Sequence, residues 1–299
     1  MSTRRRTLPL VLAGLVTLTM LTTLLGCQEA APTAAPSNQP TEAPVEVPSA
    51  GPGTELSGRL QIAGSTTVQP LVQALAEAFV ESYPDVAIDV QSGGSSLGVK
   101  SAAEGTTPIG MASRVLKDSE RDEYPDLIEH TIARDGIAIA VHTDVAFEGL
   151  SLDEVRQIFA GEIVNWSEVG GPDERIVVVS REEGSGTRGA FEEMVMGDSL
   201  IADTVLLQQS NGMVRTTVAT TPNAVGYLSF GYLDDSVKTV AVDGVEPTVA
   251  NAQSDAYPVV RPLNLLTLGE PTELAAAFLE FIFSEAGQAV VAHDYIPVK

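Results

Sequence analysis

A strand, a turn and a helix follow one another in residues 60–79, LQIAGSTTVQPLVQALAEAF. The apolar run over residues 60–63 has the length of a buried strand and stops at Gly64. From Leu71 to Phe79, apolar side chains recur at helical spacing, which predicts a helix that ends before Pro84. The turn between the two elements carries three hydroxyl residues, Ser65, Thr66 and Thr67. Backbone N–H groups at such a helix start have no partner within the helix.

Two later turns are of the same kind, at residues 93–98, GGSSLG, and 183–187, EGSGT. Each turn follows a predicted strand and opens a helix, so its hydroxyl and N–H donors lie at the positive end of that helix, where an anion binds well. Ser and Thr are also favoured N-caps, so capping alone is the alternative for any single turn. Three such turns at the carboxyl ends of strands, with Arg181 before the third, favour one shared oxyanion site.

Strands and helices alternate from residue 55 to the C-terminus. Further strands are predicted at 86–90, 132–141, 176–179, 224–228 and 259–266. Helices are predicted to start at Ser95 and to span 153–159, 187–196 and 273–283. This alternation predicts an α/β fold in which parallel-type sheets are covered by helices, in about two lobes.

The N-terminus differs from the rest. Three Arg residues precede an apolar run over residues 8–25 that ends at Gly26-Cys27, which predicts a secretory signal peptide over residues 1–26. A permanent membrane-spanning helix is the alternative, because the run approaches the length of about 18 residues that such a helix needs. The sequence before Cys27 resembles a bacterial lipobox, so Cys27 is a predicted lipidation site. Residues 27–54 are rich in Pro and predict an extended, solvated tether.

Composition excludes several classes of function. The 299 residues include 17 Lys and Arg against 40 Asp and Glu, a formal net charge of −23. Nucleic acid is therefore not an expected partner, because phosphate backbones are bound by clusters of Lys and Arg. A single Cys permits no internal disulfide and no cysteine-rich zinc site. We expect no metal and no cofactor.

Several of these segments resemble one known family in order and spacing. The family consists of the PstS-type phosphate-binding lipoproteins and periplasmic proteins of the high-affinity phosphate ABC transporter. The similar segments are residues 63–70, 93–100, 109–114, 134–138, 158–166 and 181–188. Together they extend from about residue 60 to the C-terminus, nearly all of the globular part.

The resemblance implies a periplasmic-binding-protein fold with two α/β lobes and two hinge crossings. Residues 55–134 and 235–299 would form lobe 1, and residues 135–234 would form lobe 2. The implied phosphate-binding residues are Ser65, Thr66, Thr67, Ser95, Ser113, Arg181, Ser185, Gly186 and Thr187. Glu183 stands where the family often has a carboxylate that orients the Arg.

Ser113 marks a departure from the family pattern. Well-known members carry an Asp at this position, which accepts the proton of hydrogen phosphate, whereas here the residue is Ser113 followed by Arg114. Sulfate has no such proton, so a carboxylate at this position would face a negatively charged sulfate oxygen without a hydrogen bond to it. Such a carboxylate therefore lets a site reject sulfate. The acceptor here would have to be a hydroxyl, a backbone carbonyl or a carboxylate elsewhere. A receptor for sulfate, molybdate or a phosphonate is therefore an alternative.

The resemblance also implies how the protein works with its partners. It would be a monomeric binding protein and not an enzyme, anchored outside the bacterial cell membrane by lipid on Cys27. It would capture inorganic phosphate and deliver it to an ABC permease with its ATPase. A serine hydrolase is the other class, because residues 94–98 match G-x-S-x-G with Ser96 as nucleophile and His293 as a base. That motif is short and common in Gly- and Ser-rich turns.

Overall fold

The structure, a computed structural model, describes residues 56–146 and 149–298. The predicted signal peptide, the lipidation site at Cys27 and the Pro-rich tether lie outside these residues. The strands are β1 (Gly58–Gly64), β2 (Val86–Ser92), β3 (Ile109–Ala112), β4 (Leu127–Val141), β5 (Gly149–Leu150), β6 (Val177–Arg181), β7 (Leu206–Gln208), β8 (Ala224–Ser229), β9 (Lys238–Val242) and β10 (Val260–Leu268). The α-helices are α1 (Val68–Ser82), α2 (Ser95–Ala103), α3 (Asp118–Glu123), α4 (Leu152–Ala160), α5 (Gly186–Phe191), α6 (Asn211–Thr220), α7 (Val249–Gln253), α8 (Glu273–Ile282) and α9 (Glu285–Val291).

Two sets of parallel strands are joined by antiparallel ones. The strands pair in the order β2-β1-β3-β10-β4-β8-β6-β7, and β9 pairs with β4 and β5. β1 is parallel to β2 and β3, and β6 is parallel to β7 and β8. β10 and β4 run antiparallel to their neighbours in this order. The sequence predicted parallel-type sheets, and this holds within each set but not for the two strands between them.

Within the described residues, the two largest hydrophobic cores mark two lobes, and two smaller clusters lie beside them. The first core lies between α1, α8, α9 and the β1–β3–β10 strands. Here α1 buries the apolar stripe predicted from its spacing, and the Phe79 ring meets that of Phe278 edge-on with centroids 5.3 Å apart. The second core surrounds Phe159, Phe191 and Tyr227, whose aromatic rings contact one another. The predicted two-lobed α/β fold is confirmed.

The long strand β4 belongs to both lobes. Its residues 127–136 pair with β10, and its residues 137–141 pair with β8. One stretch of the chain differs from the predicted lobe boundaries, which assigned residues 235–299 to lobe 1. Strand β9 pairs with residues 139–141 of β4, and its Val240 and Val242 pack in the second core, as does Val259 just before β10.

Most predicted elements are present with shifted ends. The helix predicted at 153–159 is α4, which begins with a capping box at Ser151 and ends at Gly161 in the left-handed region, φ 76°. The helix predicted at 187–196 is instead α5 followed by a π-helical turn at Glu192–Met196. The short strands β7 and β9 and the helix α6 were not predicted. Within the described residues, no single helix is long and apolar enough to cross a membrane, and α8 with α9 meets those criteria only as a pair bent by 68°.

Trp166 is a packing residue of the second core. Its side chain is fully buried, and its indole Nε1 donates to the Asn223 carbonyl oxygen at 3.1 Å. Trp166→Phe removes one of the two hydrogen bonds that this oxygen accepts, leaving the one from the Val177 backbone N–H, and opens a small cavity. We expect the free energy of unfolding to fall by about 1–2 kcal/mol in urea titrations followed by circular dichroism. Leu200→Ala, at a side chain 84% exposed, is the control and should change it by less than about 0.5 kcal/mol. Equal effects of the two variants would contradict a packing role.

Candidate functional site

The turns after β1 and β2 and the end of β3 bring three serine hydroxyls together. Ser65 Oγ donates to Ser113 Oγ at 2.9 Å, and Ser95 Oγ lies 3.4 Å from Ser113 Oγ. The Ser113 backbone N–H donates to Ser95 Oγ at 3.0 Å, while Ser65 Oγ accepts from the backbone N–H of Thr67 at 3.2 Å. All three side chains are buried. A compact group of hydroxyls therefore lies on the first lobe, where β1, β3 and α2 meet.

The turn before α5, on the second lobe, packs directly against this hydroxyl group. Thr187 Oγ1 lies 2.9 Å from Thr67 Oγ1, and both side chains are buried. A Cβ placed on Gly186 would lie 2.0 Å from Ser95 Oγ and 2.6 Å from Ser113 Oγ, so the backbone approaches more closely than any side chain would allow. Ser185 caps α5 by accepting from the Arg188 backbone N–H. The turns predicted to share one site are thus in contact.

Thr66 contributes its backbone to the same contact. Its side chain is buried, and its carbonyl oxygen accepts from Tyr232 Oη at 2.6 Å. Tyr232 belongs to the short turn after β8, in the second lobe. The nine residues predicted from the sequence are all buried. Five of them meet across this contact, and Ser65 joins them through Ser113: the five are Thr67, Ser95, Ser113, Gly186 and Thr187.

Arg181 ends β6 and is only 1% exposed. Its Nε and Nη2 atoms donate to Glu182 and to the carbonyl oxygens of Gln208 and Gln209. Its Nη1 atom is buried and has no hydrogen-bond partner among the described residues. A fixed guanidinium with one free pair of N–H donors is suited to an oxyanion.

The carboxylate that orients Arg181 is Glu182, not the expected Glu183. Glu182 accepts from Nε at 3.0 Å and from Nη2 at 2.9 Å, whereas Glu183 is exposed. Beneath this pair, Tyr227 Oη accepts from the Arg181 backbone N–H at 3.1 Å. Burial raises the pKa of Tyr227 to about 12, so its hydroxyl stays protonated near neutral pH.

Arg114, the neighbour of Ser113, points away from the hydroxyl group. It forms a bidentate pair with Glu120, with both N–O distances at 2.7 Å. Burial opposes ionisation of Glu120, but Arg114 and the Lys117 backbone N–H hold its pKa below the ordinary value. Arg114 therefore supports the loop after β3 and leaves Ser113 as the residue that faces the hydroxyl group.

The structure gives no support to a hydrolase. Each of the three histidines has a partner outside the turns: His130 with Thr267, His142 with Asp144, and His293 with Asp294. The Ser96 backbone N–H donates to the Gly184 carbonyl oxygen at 3.2 Å. In the same described ranges, no group of three or more His, Cys, Asp or Glu side chains could hold a metal ion.

Comparison with known proteins identifies the family. A sequence model described as a PBP superfamily domain matches residues 33–286. The phosphate-binding protein PstS of Bacillus subtilis is 40% identical over 245 residues, which cover 81% of each chain. The chain belongs to the PstS family. PstS of Pseudomonas aeruginosa is 31% identical, over 81% of this chain and 84% of that protein.

Solved structures of the PstS family share the fold. A phosphate ABC transporter substrate-binding protein of Clostridium perfringens, with bound phosphate, is 43% identical with a TM-score of 0.77. The match covers 81% of this chain and all of that one. A phosphate transport receptor of Vibrio cholerae is 35% identical with a TM-score of 0.67, over 79% and 99% of the two chains.

Three buried residues next to the hydroxyls were not among those predicted from PstS resemblance. Asn211 Nδ2 and Arg261 Nη2 both donate to Thr67 Oγ1, at 2.9 Å and 3.2 Å. Arg261 also pairs with Asp135, 2.9 Å away, and neither side chain is exposed. One signal could have found Asn211: Ser210 caps α6 directly after β7, which is a further strand-to-helix turn of the kind seen after β1.

Proposed function

We propose that this PstS-family protein binds inorganic phosphate between its two lobes. The binding residues would be the nine predicted from the sequence, with hydroxyl and backbone N–H donors from the first lobe meeting Arg181, Ser185, Gly186 and Thr187 from the second. The observation that carries the proposal is Arg181 Nη1, a buried cationic donor beside the turn that packs on these hydroxyls. This atom has no hydrogen-bond partner within residues 56–146 and 149–298. The names of the PstS relatives and the phosphate bound to the Clostridium protein support the same ligand.

A protein with a net charge of −23 can still bind an anion at such a site. The Debye length is about 8 Å at physiological ionic strength, so distant surface carboxylates act weakly on the ligand. Charge-assisted hydrogen bonds contribute about 1.5–3 kcal/mol each. Several of them can offset the desolvation of the oxyanion and leave micromolar or tighter affinity, about −8 kcal/mol or below.

We further propose that the two lobes hinge at β4 and β10. The first lobe would consist of residues 56–136 and of the chain from about residue 260, and the second of residues 137–259. This division follows the two cores and the pairing of β9 with β4. Contacts that cross it, such as Thr67–Thr187 and Tyr232–Thr66, would form on closure and break on release.

The remaining expectations concern where the protein works. We propose that it is a monomeric, non-enzymatic receptor outside the cell membrane, held there by lipid on Cys27 and the tether of residues 27–54. It would pass phosphate to an ABC permease with its ATPase. This proposal rests on the N-terminal sequence and on the relatives' names as phosphate ABC transporter proteins.

Titration calorimetry with competing oxyanions tests the ligand. We expect phosphate to bind with a Kd of about 1 μM or less, and sulfate to bind at least about tenfold more weakly. Phosphate oxygens are more basic than those of sulfate, so the same donors form stronger charge-assisted hydrogen bonds with phosphate. Tighter binding of sulfate, molybdate or a phosphonate would instead support a receptor for that anion. No binding of any of them would contradict an oxyanion receptor.

A further inference from the structure

A closed ring of hydrogen bonds surrounds the hydroxyl of Thr67. Asn211 Nδ2 and Arg261 Nη2 both donate to Thr67 Oγ1. The Ser229 backbone N–H donates to Asn211 Oδ1 at 3.2 Å, and Ser229 Oγ donates to Asp135 Oδ1 at 3.0 Å. Arg261 completes the ring by donating to Asp135 Oδ2 through Nε and Nη2. All five side chains are buried.

This ring fixes the direction of each hydrogen bond. A backbone N–H can only donate, so the atom of the Asn211 side chain that faces the Ser229 N–H must be the oxygen. The nitrogen of the Asn211 side chain then faces Thr67. A guanidinium can likewise only donate. Both lone pairs of Thr67 Oγ1 are therefore used, and its own hydrogen must point elsewhere.

Only one direction is left for the Thr67 hydrogen. Thr187 Oγ1 lies 2.9 Å from Thr67 Oγ1 across the contact between the lobes. The Thr67 hydroxyl therefore donates its hydrogen either to Thr187 Oγ1 or to an oxygen of an anion bound beside it. Ser113 is constrained in a similar way, because its Oγ accepts from Ser65 and lies 3.4 Å from Arg261 Nη1.

We propose that Asn211 and Arg261 are positioning residues that hold the Thr67 hydroxyl as an obligate donor, so that the site prefers the doubly charged form of phosphate. This inference rests on the proposed function. A singly charged phosphate carries one more O–H group, which needs an acceptor, while the doubly charged form presents one more acceptor oxygen. The ring leaves the Thr67 hydroxyl with a hydrogen to donate and with no free lone pair to accept one.

The charged and titratable groups that face the ring are Asp135 on β4, Arg261 on β10, Arg181 on β6, Tyr232 after β8 and Tyr295 after α9. Burial raises the pKa of both tyrosines, which stay protonated. Burial also raises the pKa of Asp135, while Arg261, Ser229 and the Phe230 backbone N–H stabilise its charged form. Because Asn211 and Arg261 already occupy the lone pairs of Thr67 Oγ1, this hydroxyl offers no acceptor to a phosphate O–H group, and we expect the second ionisation of phosphate to control affinity.

Asn211→Asp tests this role with almost no change of shape. The introduced carboxylate cannot donate, so it accepts the Thr67 hydrogen and leaves a lone pair facing the anion. Arg261 lies close enough to keep this carboxylate charged. Asn165→Asp is the matched control, because it adds the same charge at an N-cap position away from the ring and gives up only the exposed hydrogen bond from Asn165 Nδ2 to Asp173.

Calorimetry of the full protein with phosphate, from about pH 6 to about pH 8, gives the readout. We expect the affinity of the wild type to rise about tenfold over this range with the fraction of doubly charged phosphate. Asn211→Asp should bind at least about tenfold more weakly at the upper pH and lose most of this rise, while Asn165→Asp should behave as the wild type. Arg261→Lys, which keeps the charge beside Asp135, should fold and bind about three- to tenfold more weakly.

The outcomes separate this inference from the proposed function. If the wild type binds no phosphate, the proposed function fails. If the wild type binds phosphate and Asn211→Asp keeps its affinity and pH profile, only the positioning role is overturned. A uniform loss at every pH would also overturn it, since that result indicates damage to structure. Should Asn211→Asp fail to fold in thermal unfolding, an unchanged affinity of Arg261→Lys overturns the inference and the expected loss supports it.

Discussion

Gly186→Ala is expected to weaken phosphate binding by at least about 100-fold, or about 2.8 kcal/mol. The new Cβ would lie 2.0 Å from Ser95 Oγ and 2.8 Å from Ser95 Cβ, and real contacts of that kind do not occur. The clash arises between the lobes and involves no atom of the second lobe's own core. The lobes must then stay apart, so that donors of the first lobe no longer reach an anion held by the second.

The folded state of each lobe should tolerate the same substitution. Gly186 is the first residue of α5, where Ala is a better helix former than Gly. We therefore expect the free energy of unfolding, measured without phosphate, to change by less than about 1 kcal/mol. This combination of lost affinity and retained stability distinguishes blocked closure from misfolding.

Gly184→Ala is the matched control within the same turn. A Cβ on Gly184 would have as its nearest atom Ser96 Cβ, 4.0 Å away, which is an ordinary contact. Its phosphate affinity should stay within about threefold of the wild type in the same calorimetric titration. Similar affinities for the two alanine variants would show that closure does not depend on the close approach at Gly186.

The turns of the site could be predicted because their signals are local. Around Ser65, Ser95 and Ser185, a short apolar strand, a run of small residues and a helical repeat all lie within about twenty residues of each other. The cap that Ser185 forms on α5 follows from its residue type. Sequence periodicity also predicted the two lobes, since each needs its own set of strands and helices.

The ring around Thr67 could not be predicted in this way. Asn211 and Arg261 lie 144 and 194 residues from Thr67 along the chain, and no short motif joins them. The choice of Glu182 over Glu183 also required the structure, because only the backbone course after β6 decides which of two adjacent carboxylates meets Arg181. The lobe assignment of β9 depended on its pairing with β4, which the sequence does not show.

Arg181→Met is expected to weaken phosphate binding about 100-fold, the equivalent of about 2.8 kcal/mol. The substitution removes a buried cation whose Nη1 atom has no hydrogen-bond partner in the part of the chain that the structure describes. Losing one partner of a buried, hydrogen-bonded charge pair typically costs about 2–5 kcal/mol. Because Met has similar length and no charge, the volume of the side chain is largely kept.

Two further variants separate the effect of the charge at position 181 from the effects of net charge and of side-chain shape. Arg59→Met removes one positive charge from an exposed pair with Asp89, so net charge changes equally, yet phosphate affinity should change by less than about twofold. Arg181→Lys keeps the charge but cannot reproduce the fork held by Glu182, so we expect an intermediate loss of about tenfold. Thermal unfolding of each variant without phosphate measures any structural damage from the donors that Glu182, Gln208 and Gln209 lose.

The order of these affinities decides what Arg181 does. We expect the loss of phosphate affinity to be large for Arg181→Met, intermediate for Arg181→Lys and absent for Arg59→Met. This order would show that binding needs both a positive charge and a fixed guanidinium geometry at position 181. If Arg59→Met were as harmful as Arg181→Met, the total charge of the protein would control binding instead. If Arg181→Met bound phosphate as tightly as the wild type, the anion would have to lie away from this guanidinium, and the nine residues grouped here would not form its site.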